Sequence, residues 1–121
     1  MTRDVADVVG CWDGRSLREW LPEVVADIVR EHRPLRIILF GSLARGEEHQ
    51  DSDIDLLVVL DRVALDEKID MMIAIHRTVG GRVPADVHVT DPREIARRGH
   101  LTGSILYPAL REGAVVYERA A

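Results

Sequence analysis

Apolar residues in the first third of the chain recur with helical spacing. Leu17, Trp20, Leu21, Val24, Val25, Ile28 and Val29 fall at i, i+3, i+4 and i+7, which predicts an amphipathic helix after Ser16. Ser16 with Glu19 three residues on has the pattern of a capping box, while Pro22 lies deep for that start and moves the expected first turn toward Trp20-Leu21. Arg33-Pro34 ends the segment. Leu35–Phe40 reads as a strand stopped by Gly41. Ser42 to Arg45 make one helical turn, 46–52 a polar loop, and Asp53–Leu60 a second strand. Leu65–Val79, with Ile69, Met72, Ile73 and Ile75, predicts a helix that Gly80-Gly81 terminates. Val83–Thr90 alternates as a third strand. Asp91 and Pro92 mark a helix start, Thr102–Arg111 a last helix, and "GAVVYE" a closing strand. Residues 1–15 have no periodicity and form a lead segment before one domain at 16–119.

The resulting order, α-β-β-α-β-α-α-β, predicts an α/β fold with a small mixed sheet packed by helices, the two consecutive strands lying side by side. With 121 residues the chain supports a single core. A hydrophobic share of 46% against 31% charged marks it as globular. The net charge is −5 with acids and bases interleaved, and only five residues are aromatic. There is neither a basic stripe for duplexes nor a stacking platform for single strands, so direct nucleic-acid binding is not expected. Cys11 is the single cysteine, which excludes an internal disulfide. No apolar run is long enough to span a bilayer and the acidic N-terminus is unlike a signal peptide, so a cytoplasmic location is expected.

One stretch contradicts the simple pattern. Asp53 and Asp55 stand at i and i+2 at the mouth of the apolar run Leu56–Leu60, on one face of a strand where like charges repel. A divalent cation resolves the conflict, because hard cations such as magnesium take one or two protein carboxylates and complete their shell with phosphate and water. Gly41-Ser42 supplies the complement: a turn directly after a strand whose backbone N–H groups can cradle an anion. The Ser42 hydroxyl can donate to a phosphate, Arg45 follows one short turn later, and Gly41 and Gly46 allow close approach. Asp86, in the next strand, joins the pair if that strand lies beside Asp53–Leu60. Two metals then clamp an in-line phosphoryl displacement, with Asp86 serving the attacking hydroxyl.

The pattern Gly41-Ser42, Asp53-Ile54-Asp55 and Asp86, within "FGSLARGEEHQDSDIDLLVV", resembles the minimal nucleotidyltransferases of the DNA polymerase beta-like superfamily. The ending "ILYPALREGAVVYE" resembles the same branch, so the likeness covers roughly residues 16–119. It implies transfer of a nucleoside monophosphate from a triphosphate, AMP from ATP, with two magnesium ions. By that resemblance Asp53, Asp55 and Asp86 are catalytic and hold the metals, while Gly41, Ser42 and Arg45 hold the phosphates. Such proteins are often encoded beside a HEPN-domain toxin, which they counter as antitoxins, some by moving AMP onto a tyrosine. The chain matches no acceptor-binding domain, so the resemblance implies an acceptor held by a dimer partner or another protein.

Other residues read more plainly. Asp51 and His49 are expected to be solvated, and His32, His76 and His100 to lie at the surface or at helix ends. His88 shares a face with Asp86, and Trp12 and Trp20 read as packing residues. Two further functions fit the motifs less well: an antitoxin that neutralises by occlusion, for which three aspartates are superfluous, and transfer to a small molecule such as an aminoglycoside.

Overall fold

The computed structural model describes residues 11–12 and 14–120. Most of the lead segment assigned to residues 1–15 lies outside them. Its last part carries a small hairpin of β1 (Cys11–Trp12) and β2 (Arg15–Ser16), which the missing periodicity did not predict. Helix α1 (Leu17–His32) follows at once. Ser16 Oγ accepts the Glu19 N–H at 3.2 Å and Glu19 Oε1 accepts the Ser16 N–H at 2.9 Å, so the capping box sets the start. The alternative start at Trp20-Leu21 is therefore corrected. Pro22 sits inside the helix, where it removes a single backbone bond near the N-terminus and the helix continues. Trp20 is buried, with the Arg15 guanidinium 3.5 Å above its ring.

The sheet has four strands: β3 (Arg36–Phe40), β4 (Ile54–Val59), β5 (Ala85–Thr90) and β6 (Ala114–Glu118). Their spatial order is β5-β4-β3-β6; β4 and β5 run parallel and the other pairs antiparallel, the mixed sheet expected. Between the strands lie α2 (Gly41–Arg45), a 3-10 turn (Leu65–Glu67) leading into α3 (Lys68–Val79), α4 (Pro92–Arg98) and α5 (Leu106–Glu112).

Alternation along the strands divides the core into two layers. Ile37, Leu39, Ile54, Leu56, Val58, Val87 and Val89 face α1 and α3, meeting Val24, Ile28, Ile75 and Val79. Ile38, Phe40, Leu57 and Val59 face the other way, against Leu106 and Ala109 of α5. Each fully buried Val, Leu or Ile contributes roughly 1.5–3 kcal/mol, so the two layers hold the central strands firmly. Asp55 shares the second face, and this rigid frame fixes where its carboxyl can go.

The last helix begins at Leu106, four residues later than the pattern predicts. Residues 101–105 turn instead: the Ser104 N–H bonds the Leu101 carbonyl at 3.0 Å, and Ser104 Oγ accepts the Leu106 N–H at 3.1 Å. Ser104 competes for backbone bonds that a helix would need. At the end of the sheet where β4 and β5 finish, Asp91 caps α4 through the Glu94 N–H (2.8 Å) and also accepts the Val63 N–H (2.9 Å). Glu94 is buried and bound by Lys68 Nζ and by the Thr90 hydroxyl, both at 2.6 Å. This polar cluster fastens α4 to the start of α3.

Candidate active site

The site forms at the opposite end of the sheet, where β4 and β5 begin and β3 ends. Asp55 has Phe40 as its partner on β3 and Asp86 as its partner on β5. The parallel pairing of β4 with β5 therefore puts the third acid beside the second. Asp53, two residues before Asp55, precedes the strand; it and Asp86 are exposed, while Asp55 is half-buried. The Asp55 carboxyl is pushed up to about 6, first by burial and then by the charges of Asp86 and Asp53, with His88 and Arg45 pulling it back. Three carboxylates thus share one field, and Asp55 bears its cost.

Gly41 is dictated by Asp55. It takes a positive φ of 76°, and a Cβ placed on it would stand 2.1 Å from Asp55 Oδ2 and 2.9 Å from its Cγ. Only glycine satisfies both demands. Immediately after it, α2 starts with no side-chain cap from Phe40, so its first N–H groups are left for an outside acceptor.

The polar loop is folded back onto Ser42. The Ser42 hydroxyl donates to Ser52 Oγ at 3.0 Å, and that oxygen also accepts the His49 N–H at 2.8 Å. Ser52 is buried, and only its place directly before Asp53 in the sequence hints at this role. His88 is the second residue brought into the site: its Nε2 lies 3.2 Å from Asp86 Oδ2, and its ring rests near Phe40 with centroids 5.8 Å apart. Arg45 is exposed, with Nε donating to Glu47 Oε1 at 2.8 Å, and still contributes to the field at Asp55. Asp51 and His49 are exposed, as expected.

Among the described residues no three His, Cys, Asp or Glu side chains form a closed cluster that could hold a metal. The arrangement is an open rim of carboxylate oxygens. Its donor chemistry suits magnesium, which keeps several waters and takes few protein ligands.

A four-stranded mixed sheet with a carboxylate pair at its mouth and a Gly-Ser turn alongside is an arrangement that suits a nucleotide-transferring enzyme. The family model of the nucleotidyltransferase domain matches residues 21–111, and the chain belongs to that family. A relative from Methanocaldococcus jannaschii, provisionally named a protein adenylyltransferase, is 35% identical over 82 residues, which cover 68% of this chain and 77% of the relative. A solved structure from Sulfolobus solfataricus, provisionally described as a nucleotidyltransferase, shares the fold with a TM-score of 0.61 and 24% identity over 85% of this chain and 81% of its own. A toxin–antitoxin structure with AMP-PNP shares it with a TM-score of 0.51 and 20% identity over 80% and 73% of the two chains. The protein is a nucleotidyltransferase enzyme.

Proposed function

We propose that this enzyme moves AMP from ATP onto a hydroxyl group of a partner protein, with magnesium, and that the partner is a HEPN-type toxin which the modification silences. The observation that carries the reading is the pairing of Asp55 with Asp86 on adjacent strands, beside the Gly41-Ser42 turn. The relative's name supports a protein acceptor. So does the openness of the rim: Asp53 and Asp86 are exposed, whereas pockets for small molecules enclose most of the ligand's surface.

In this reading the uncapped N–H groups of α2 and the Ser42 hydroxyl hold the triphosphate, with Arg45 swinging from Glu47 to help. Asp53 and Asp55 would hold the metal ions, with Asp86 as a third carboxylate beside them. Bound magnesium would neutralise the phosphates and lower the pKa of the acceptor hydroxyl. The acceptor oxygen attacks the α-phosphorus, the bond from that phosphorus to the bridging oxygen breaks, and pyrophosphate leaves. Asp86 takes the hydroxyl proton, steadied by His88 on its other side.

The test is incubation with ATP, magnesium and the protein encoded beside this chain, followed by mass spectrometry of that protein. Addition of AMP, lost with Asp55→Asn, is the expected result. Neutralisation of the partner without any addition would instead establish occlusion.

A further inference from the structure

The parallel pairing of β4 with β5 gathers a second set of residues where these strands end. The segment after β4 carries Arg62, and α4, which follows β5, carries Arg93 and Arg97 at i, i+4 on one face. Asp91 ties the two segments together, because its carboxylate accepts the Val63 N–H at 2.9 Å and the Glu94 N–H at 2.8 Å. Between them lies a cleft of about 380 Å³ lined by all three arginines, with Val63 and the exposed Leu65 as its apolar part. A crevice outside the carboxyl ends of parallel strands is where open α/β sheets commonly bind ligands.

None of the three guanidinium groups makes a hydrogen bond or ion pair among the described residues; Arg93 has only its attraction to Asp91. The acids nearby are already engaged. Asp91 is buried and its oxygens accept backbone N–H groups, Glu94 holds Lys68, and Asp61 holds Arg119. Arginines elsewhere meet carboxylates, as Arg82 meets Glu23 and Asp27, and Arg45 meets Glu47. In a chain of net charge −5, three unmatched guanidinium groups on one cleft reverse the local sign. Holding them together costs repulsion, which an anion between them relieves.

We propose that this cleft is a binding site for a small anion carrying two or more phosphate groups. Guanidinium forks match phosphate oxygens bidentately, and three forks offer more donors than one carboxylate can accept. The volume suits a small molecule, since ligand pockets run from about 300 to 1,000 Å³. Asp91 already takes the first N–H groups of α4, so the arginines themselves recognise the anion, and they do so without a metal ion. The cleft lies at the opposite end of the sheet from the carboxylate rim, so both can be filled at once. This inference stands apart from the transfer reaction and does not rest on it.

Isothermal titration calorimetry of the full chain with inorganic pyrophosphate, in EDTA so that no metal joins it, tests the proposal. The wild type should bind saturably. Arg93→Gln and Arg97→Gln should each weaken binding about tenfold with an unchanged circular dichroism spectrum. Ser42→Ala, at the other end of the sheet, should leave it unaltered. A parallel titration with ADP separates two sources of such an anion: tighter binding that needs Leu65 assigns the cleft to a nucleotide, and equal binding assigns it to a bare polyphosphate. No saturable binding of pyrophosphate by the wild type would overturn the proposal. So would binding indifferent to both arginine substitutions, or binding lost with Ser42→Ala.

Discussion

Gly41 and Asp55 interlock: the space that a methyl group on Gly41 would need is held by the Asp55 carboxylate, 2.1 Å away. The Gly-Ser turn and the carboxylate pair are therefore one steric unit, joined across the β3–β4 pairing. Gly41→Ala must either displace Asp55 or strain a backbone with φ of 76°. We expect a loss of about 2–4 kcal/mol in stability from overpacking and the left-handed conformation together, read in urea melts. Nucleotide affinity should fall with it, and a variant as stable and as tight-binding as the wild type would show that the contact is not rigid.

Asp55→Asn separates stability from activity. The native carboxyl titrates near 6 against an ordinary 3.8, so the folded state holds that proton more tightly than the unfolded chain. Ionising Asp55 therefore costs stability as pH rises through that window, and the cost is absent below it. Asparagine removes it, making the variant more stable than the wild type by about 1–2 kcal/mol at pH 8 after allowance for solvent screening, with the gain vanishing near pH 4. Thermal melts at the two pH values check the sign, and magnesium-dependent ATP binding should be lost in the same variant.

Ser52→Ala tests whether the loop aims the phosphate cradle. Removing Ser52 Oγ leaves the His49 N–H and the Ser42 hydroxyl without their acceptor. About 1–2 kcal/mol of stability should go with it, together with a several-fold weaker affinity for ATP. Equal loss of stability with unchanged affinity would mean that Ser52 serves the loop alone.

The far end of the sheet responds to acid with the opposite sign. Burial pushes Glu94 up, but hydrogen bonds from Lys68 and Thr90 more than offset it and hold the carboxyl below its ordinary range. Its contribution is present above that range and is lost as pH falls through the lowered value. Glu94→Gln leaves the Lys68 ammonium half-buried without its partner, at a cost of about 2–4 kcal/mol near neutrality. Chemical denaturation at pH 7 and at pH 3 should show the difference shrinking in acid.

Much of this was legible in the sequence because the relevant signals are local. Capping at Ser16 and Asp91, the apolar runs and the i, i+2 aspartates each lie within a few residues. Pairing Asp86 with Asp55 needed only that two parallel strands lie side by side. Ser52 and His88 were less legible, since each gains its role from a residue on another segment: Ser52 from Ser42 ten residues earlier, and His88 from Phe40 across the sheet. The late start of α5 was hidden for a different reason, because Ser104 binds the backbone of its own neighbours in competition with helix.

We propose that AMP transfer runs through the Asp53, Asp55 and Asp86 rim. Its most direct measurement follows label from ATP onto the partner protein in the presence of magnesium, with the phosphorus marked at the α position in one reaction and at the γ position in another. The expected result is α label on the partner, no γ label, release of pyrophosphate, and loss of all transfer with Asp53→Asn. Appearance of the γ label, or transfer undiminished in that variant, would contradict it.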